Sequence, residues 1–167
     1  MASAVCGEPR STLDVDLVVS LSEGQIPGLV ASLQDDFRAD AQALRRAVRQ
    51  RSSTNVVHLA TSIKVDLFIM GGSPVDAEQM DRRQRIKVVS DPDRYLYVYT
   101  PEDILLQKLR WYRLGNEVSD RQWRDILGIL LVQGNRLDKT YLSRGAEKLG
   151  VADLLGRAMT QAGDPST

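Results

Sequence analysis

The residue pattern changes at Thr100-Pro101-Glu102-Asp103, and this change limits the folds that are open to the chain. Before it, short runs rich in Val and Ile alternate with turn signals, a pattern typical of strands. After it, apolar residues recur at helical spacing. Thr as the N-cap and Pro at the first helical position form a strong helix start. We therefore predict an α+β fold, with a mixed β-sheet flanked by helices and a C-terminal helical cluster.

The same signals predict where the elements lie. The predicted strands cover residues 13–20, 55–61, 63–70, 86–89 and 95–99. The predicted helices cover residues 22–33, 40–50, 75–83, 101–114, 120–132, 138–149 and 151–162. We predict an α/β core over residues 1–100, a helical region over residues 101–162 packed on it, and a disordered tail over residues 163–167.

Composition excludes several classes of protein. Lys plus Arg and Asp plus Glu both number 22, so net charge gives no argument for extensive RNA contacts, and any basic patch must be local. The apolar runs are far shorter than the roughly 20 residues of a membrane span. A single cysteine, Cys6, allows no intrachain disulfide. We expect a soluble, cytoplasmic protein without a membrane partner.

Two aspartates interrupt the first predicted strand. Asp14 and Asp16 are separated by one residue, and residues i and i+2 of a strand point to the same face. Two like charges held this close raise at least one pKa unless a cation lies between them. A hard divalent cation with oxygen ligands relieves that repulsion.

A third aspartate, Asp66, lies in another apolar strand, with Lys64 on its face. A buried strand carboxylate is costly unless something compensates it. Three such aspartates, on two strands that can pair side by side in a sheet, indicate a metal cluster. Phosphoryl transfer uses such a cluster, with two cations about 3.5–4 Å apart. Mg²⁺ suits it, because Mg²⁺ prefers a few carboxylates plus substrate phosphates.

The ordered set of motifs resembles the nucleotidyltransferase superfamily, and within it the bacterial minimal and AbiEii-type nucleotidyltransferase-like proteins, which often belong to toxin–antitoxin or phage-defence pairs. The resemblance extends from about residue 2 to about residue 132. The motifs that carry it are Gly7-Glu-Pro-Arg10-Ser-Thr12-Leu-Asp14-Val-Asp16, Lys64-Val-Asp66, Thr100-Pro-Glu-Asp103 with Lys108-Leu109, and Asp120-Arg-Gln122 with Arg124-Asp125-Ile126.

The resemblance implies roles for these positions. Asp14, Asp16 and Asp66 would bind two Mg²⁺ ions and, with Asp125, form the catalytic set. The residues implied in nucleotide binding are Arg10, Ser11, Thr12, Lys64 and Lys108. The substrate would be an NTP, and the acceptor a tRNA, a protein side chain or a small molecule.

Family members begin with a strand that ends in Gly-Ser or Gly-Gly before the Asp-x-Asp motif. In this chain that pair would fall upstream of Met1. We therefore expect either a start codon further upstream or a protein that has lost its first strand and binds nucleotide weakly.

Simpler interpretations remain open for several of these residues. Arg10 contacts a phosphate or pairs with Glu8, and Lys64 contacts substrate or forms a surface ion pair. Lys108 belongs either to the site or to a solvated basic helix face, and Asp125 to the site or to a helix ion pair.

Two hypotheses about function follow. The first is a Mg²⁺-dependent enzyme that moves a nucleoside monophosphate from an NTP to its acceptor. The second is a catalytically impaired nucleotidyltransferase-like binding protein, acting as one partner of a toxin–antitoxin pair with a protein encoded nearby.

Overall fold

The structure, a computed structural model, describes residues 14–163. This part of the chain packs as two compact units that divide between Gly72 and Ser73. The sequence analysis placed its boundary after residue 100 instead, and the difference concerns the helix and the two strands between these positions. The mixture of helices and two separate sheets agrees with the predicted α+β class.

The first unit is a mixed four-stranded sheet with two helices. Its strands are β1 (Asp14–Val19), β2 (Phe37–Arg38), β3 (Ser53–His58) and β4 (Lys64–Ile69), and its helices are α1 (Ile26–Leu33) and α2 (Ala41–Gln50). The spatial order is β1-β4-β3-β2. β1 runs parallel to β4, whereas β3 is antiparallel to both β4 and β2.

Alternation along the strands gives the sheet one apolar face. Val56 of β3 and Leu67 of β4 are buried together with Ile26 of α1 and Leu44 of α2. Val65, two residues before Leu67, packs partly buried against the same cluster. Because neighbouring residues of a strand point to opposite faces, the residues between them lie on the other face.

The second unit consists of a two-stranded sheet and five helices. Its elements are α3 (Pro74–Arg82), β5 (Gln84–Ser90), β6 (Asp93–Val98), α4 (Pro101–Leu114), α5 (Asp120–Gln133), α6 (Lys139–Leu149) and α7 (Ala152–Gly163). α4 lies at the centre of the helical core, where Leu105 and Leu109 are fully buried. Ile126 of α5, Leu142 of α6 and Leu154 of α7 pack in the same core.

The helix starts predicted at Thr100 and Ser119 agree with the structure. Thr100 Oγ1 accepts a hydrogen bond from the Asp103 N–H at 3.3 Å, and Ser119 Oγ accepts one from the Gln122 N–H at 3.3 Å. Each bond satisfies a backbone donor that the first helical turn leaves without a partner. Gly150 ends α6 with a φ of 67°, a left-handed conformation that glycine adopts without steric cost.

Three features differ from the sequence prediction. The helix predicted over residues 22–33 begins at Ile26, after a short 3-10 turn over Glu23–Gln25. β2 was missed, because two residues are too short to carry a periodic pattern. The two strands predicted on either side of Asp91-Pro92 do form, but they pair with each other in a separate sheet.

The contact between α6 and α4 predicts a stability effect at Gly145. A Cβ at this position would lie 2.5 Å from Leu106 Cδ1, inside a fully buried core. We expect Gly145→Ala to lower the free energy of unfolding by about 1–3 kcal/mol, measured by urea denaturation. Gly156→Ala in α7, where nothing lies within 4 Å, is the matched control and should be neutral or stabilising. An unchanged midpoint for Gly145→Ala would contradict this packing.

Candidate metal and nucleotide site

The first candidate site is built on the parallel pair of strands β1 and β4. Asp16 lies directly opposite Asp66 in register, and Asp14 lies opposite Lys64. Neighbouring strands are about 4.8 Å apart, and residues in register share a face of the sheet. Asp16 and Asp66 therefore present two carboxylates side by side, close enough to share one cation.

The surroundings of the two carboxylates differ. Asp16 is exposed, whereas the side chain of Asp66 is 21% exposed. Lys64 Nζ lies 3.0 Å from Asp66 Oδ2. Both residues are on β4 and two positions apart, so this ion pair runs along one strand. An exposed pair of this kind stabilises a fold by roughly 0–1 kcal/mol.

The sequence explains why the carboxylates lie on the open face of the sheet. Lys64 and Asp66 alternate along β4 with Val65 and Leu67, which pack against the apolar cluster under α1 and α2. Burial of the apolar set on one face directs the charged set to the other. A shift of one residue in register would exchange the two sets, so the apolar pattern holds the carboxylates in place.

Sequence reasoning missed Asn55 of β3, which lies opposite Asp66 on the side away from Asp16. Asp16, Asp66 and Asn55 thus form one polar row across three strands. The only signal in the sequence was the place of Asn55 between Thr54 and Val56, which puts its side chain on the face opposite to theirs. That signal becomes informative only once the register of β3 against β4 is known.

The remaining predicted residues of this site are only partly described. The structure gives the backbone of Asp14 and not its side chain, so the position of its carboxylate stays a prediction. Arg10, Ser11 and Thr12 lie outside the described residues. Their proposed contacts with nucleotide also stay predictions.

Lys108 and Asp125 belong to the second unit, where they contact each other. Lys108 Nζ of α4 lies 3.0 Å from Asp125 Oδ2 of α5, and the two side chains are 14% and 19% exposed. The pair joins two helices that also share the apolar core. Asp125 therefore forms an ion pair with a helix cation, which is the simpler of its two interpretations. A role of Asp125 in catalysis stays a prediction.

The donor set of the β1–β4 site suits a hard cation. Among the side chains that the structure describes, no group of three or more His, Cys, Asp or Glu is placed to hold a metal ion. Asp16 and Asp66 supply carboxylate oxygens alone. Mg²⁺ is commonly bound by one or two carboxylates together with waters and substrate phosphates. The two carboxylates fit that requirement, whereas Zn²⁺ favours His and Cys ligands.

A second cluster of polar residues lies inside the helical unit, around Asp103. Its side chain is fully buried, and it accepts hydrogen bonds from Tyr141 Oη at 2.6 Å and Thr100 Oγ1 at 2.8 Å. Arg82 Nε lies 3.4 Å away. Burial raises the pKa of Asp103, although these three partners act to lower it.

The pKa values of two tyrosines near this carboxylate are raised as well. Burial, with a smaller contribution from the charge of Asp103, raises the pKa of Tyr99 to about 12. The pKa of Tyr141 is also raised, by burial and by its hydrogen bond to Asp103. Both hydroxyls therefore stay protonated at neutral pH, and Tyr141 donates to the carboxylate. The cluster is a satisfied internal network that joins α3, α4 and α6.

Comparison with known proteins adds no assignment. No protein-family model matches the chain, and no curated protein matches it. Across residues 14–163, none of the helices is both long enough and apolar enough to cross a membrane.

Proposed function

We propose that the chain is a Mg²⁺-dependent nucleotidyltransferase, which moves a nucleoside monophosphate from an NTP to an acceptor. The observation that carries the proposal is the register of Asp16 with Asp66 on two parallel strands. It supports the cluster of carboxylates that the sequence analysis derived from strand alternation. The ordered motifs of the sequence supply the reaction class.

In this proposal Asp14, Asp16 and Asp66 hold two Mg²⁺ ions. The ions would neutralise the triphosphate and lower the pKa of the acceptor hydroxyl. Asp16, the exposed member, faces the solvent from which the nucleotide arrives. Asp66, the more buried member, is the candidate for orienting the acceptor hydroxyl, because a partly desolvated carboxylate is the stronger electrostatic partner.

Positive charge beside these carboxylates would hold the phosphates. Lys64 carries an ammonium group on the same face of β4 as Asp66. Arg10, Ser11 and Thr12 precede β1, and the resemblance implies the same role for them. For Lys108 and Asp125, the resemblance alone implies roles in nucleotide binding and in catalysis.

A second candidate function is a binding protein on the same scaffold without turnover, acting as one partner of a toxin–antitoxin pair. The ion pair between Lys64 and Asp66 favours it, because an ammonium group 3.0 Å from the carboxylate compensates that charge without a metal. In this case Asp66 stabilises the strand and no divalent cation is needed.

Label transfer separates the two candidates. Purified full-length chain is incubated with each common ribonucleoside triphosphate labelled at the α-phosphate, with Mg²⁺ and with total RNA as the acceptor. The enzyme proposal predicts label on RNA or on the chain itself, lost when EDTA removes the metal. Absence of transfer together with absence of metal-dependent nucleotide binding would favour the binding protein.

A further inference from the structure

The β5–β6 hairpin presents its side chains to solvent on both faces. It forms a two-stranded sheet of its own, and within the described residues no third strand pairs with either edge. Tyr97 is 62% exposed and Tyr95 is 40% exposed. A tyrosine ring in solvent leaves a large apolar area uncovered, and aromatic residues of this kind are enriched at binding surfaces.

Register brings cations and aromatic rings to one face. Arg85 lies opposite Tyr97, and Lys87 lies opposite Tyr95. Opposed residues of an antiparallel pair share a face, so these four residues, Arg85, Lys87, Tyr95 and Tyr97, form what we term the basic–aromatic face. Arg94 pairs with Val89. Because it directly precedes Tyr95 in β6, its side chain lies on the opposite face of the hairpin.

Contacts on the basic–aromatic face order its rings and charges. The guanidinium carbon of Arg85 lies 3.7 Å from the centroid of the Tyr95 ring, and that of Arg83 lies 4.9 Å from the centroid of the Tyr97 ring. Lys87 Nζ pairs with Asp93 Oδ1 at 2.7 Å. Within residues 14–163, by contrast, Arg83 and Arg85 have no carboxylate partner, so their charges are available to an anion.

From this arrangement we propose that the hairpin is a docking surface for single-stranded nucleic acid. Exposed aromatic rings stack unpaired bases, and guanidinium groups stack on bases and neutralise phosphates. The rise of a strand places alternate side chains of one face about 7 Å apart, within the reach of successive splayed nucleotides. This proposal does not depend on nucleotidyl transfer, because its test measures only the binding of nucleic acid.

The charges argue against other occupants. A second copy of the chain docked through the same face would bring two positively charged faces together, and such like-charge contacts are unfavourable. A duplex keeps its base faces stacked inside, so it would gain from the cations and not from the rings. Solvent-exposed rings, together with guanidinium groups that have no carboxylate partner within residues 14–163, therefore favour an unpaired polynucleotide.

The test measures binding of fluorescein-labelled 12-mers, uridine RNA and thymidine DNA, to the full chain by fluorescence anisotropy at low salt. We expect Tyr97→Leu to raise Kd about tenfold, because stacking on the ring is lost. Tyr97→Phe keeps the ring and should stay within twofold of the wild type. Equal affinity of the wild type and Tyr97→Leu, or failure of the wild type to bind either 12-mer, would overturn the proposal.

A matched pair of charge variants tests the face. Arg85→Gln and Arg94→Gln each remove one positive charge from the same hairpin, from opposite faces. We expect the first to weaken binding at least threefold more than the second. Equal losses, or a duplex bound as tightly as the single strand, would indicate charge attraction alone and contradict the stacking surface.

Discussion

Asp66→Asn should reduce label transfer more than 100-fold while leaving the protein folded. The substitution keeps the size and shape of the side chain but removes the charge that, in this proposal, holds a cation against Asp16, its neighbour in register. Electrostatic groups that act on the transition state of phosphoryl transfer contribute several kcal/mol each. The loss should appear in kcat, because the charge acts on the reacting phosphate rather than on nucleotide binding alone.

The control for this variant is Asp35→Asn, which removes an exposed carboxylate from the same unit. It should transfer label at the wild-type rate. Circular dichroism of Asp66→Asn should match the wild type, since a pair between Lys64 and Asp66 at this exposure contributes little to stability. Transfer by Asp66→Asn at more than a tenth of the wild-type rate would exclude Asp66 from the catalytic set.

Asp103→Ala should lower the free energy of unfolding by about 3 kcal/mol. The hydroxyls of Tyr141 and Thr100, both on buried residues, would lose their acceptor, and Arg82 would lose its nearer carboxylate. Removal of one partner leaves the others desolvated without compensation, which costs more than the net contribution of the bonds. For a protein of this size the melting temperature should fall by roughly 6–12 °C.

Two further variants make this result interpretable. Tyr141→Phe removes one hydrogen bond of the network and should cost about 1 kcal/mol. Asp81→Ala removes an exposed carboxylate from α3 and should stay within about 0.5 kcal/mol of the wild type. Urea denaturation followed by circular dichroism measures all three. A loss for Asp103→Ala no larger than that of Asp81→Ala would contradict the role of the buried network.

Local patterns predicted the elements well, because each signal acts over a few residues. Short apolar runs identified the strands that carry Asp16 and Asp66, and N-cap residues such as Thr100 marked the helix starts. These signals depend on backbone hydrogen bonds and on the side-chain period, both of which are local. β2 was missed for the same reason, since a strand of two residues owes its existence to its partner β3.

Pairing between distant residues could not be derived in the same way. The alignment of Asp16 with Asp66 depends on the register between β1 and β4. That register is set by the packing of the whole apolar face of the sheet. The sequence left open whether Asp125 pairs with a helix cation, and the contact with Lys108 forms only when α4 and α5 pack together. Asn55 joined the site through register alone.

The central claim is that the carboxylates of β1 and β4 hold a divalent cation together with a nucleotide. Electron paramagnetic resonance of Mn²⁺, a spectroscopic substitute for Mg²⁺, tests it most directly when the full chain is titrated with and without a non-hydrolysable NTP. The account predicts bound Mn²⁺ that tightens with the nucleotide, disappears in Asp16→Asn and in Asp66→Asn, and is unchanged in Asp35→Asn. Mn²⁺ binding that survives both site variants, or a wild type that binds no Mn²⁺ with nucleotide present, would contradict it.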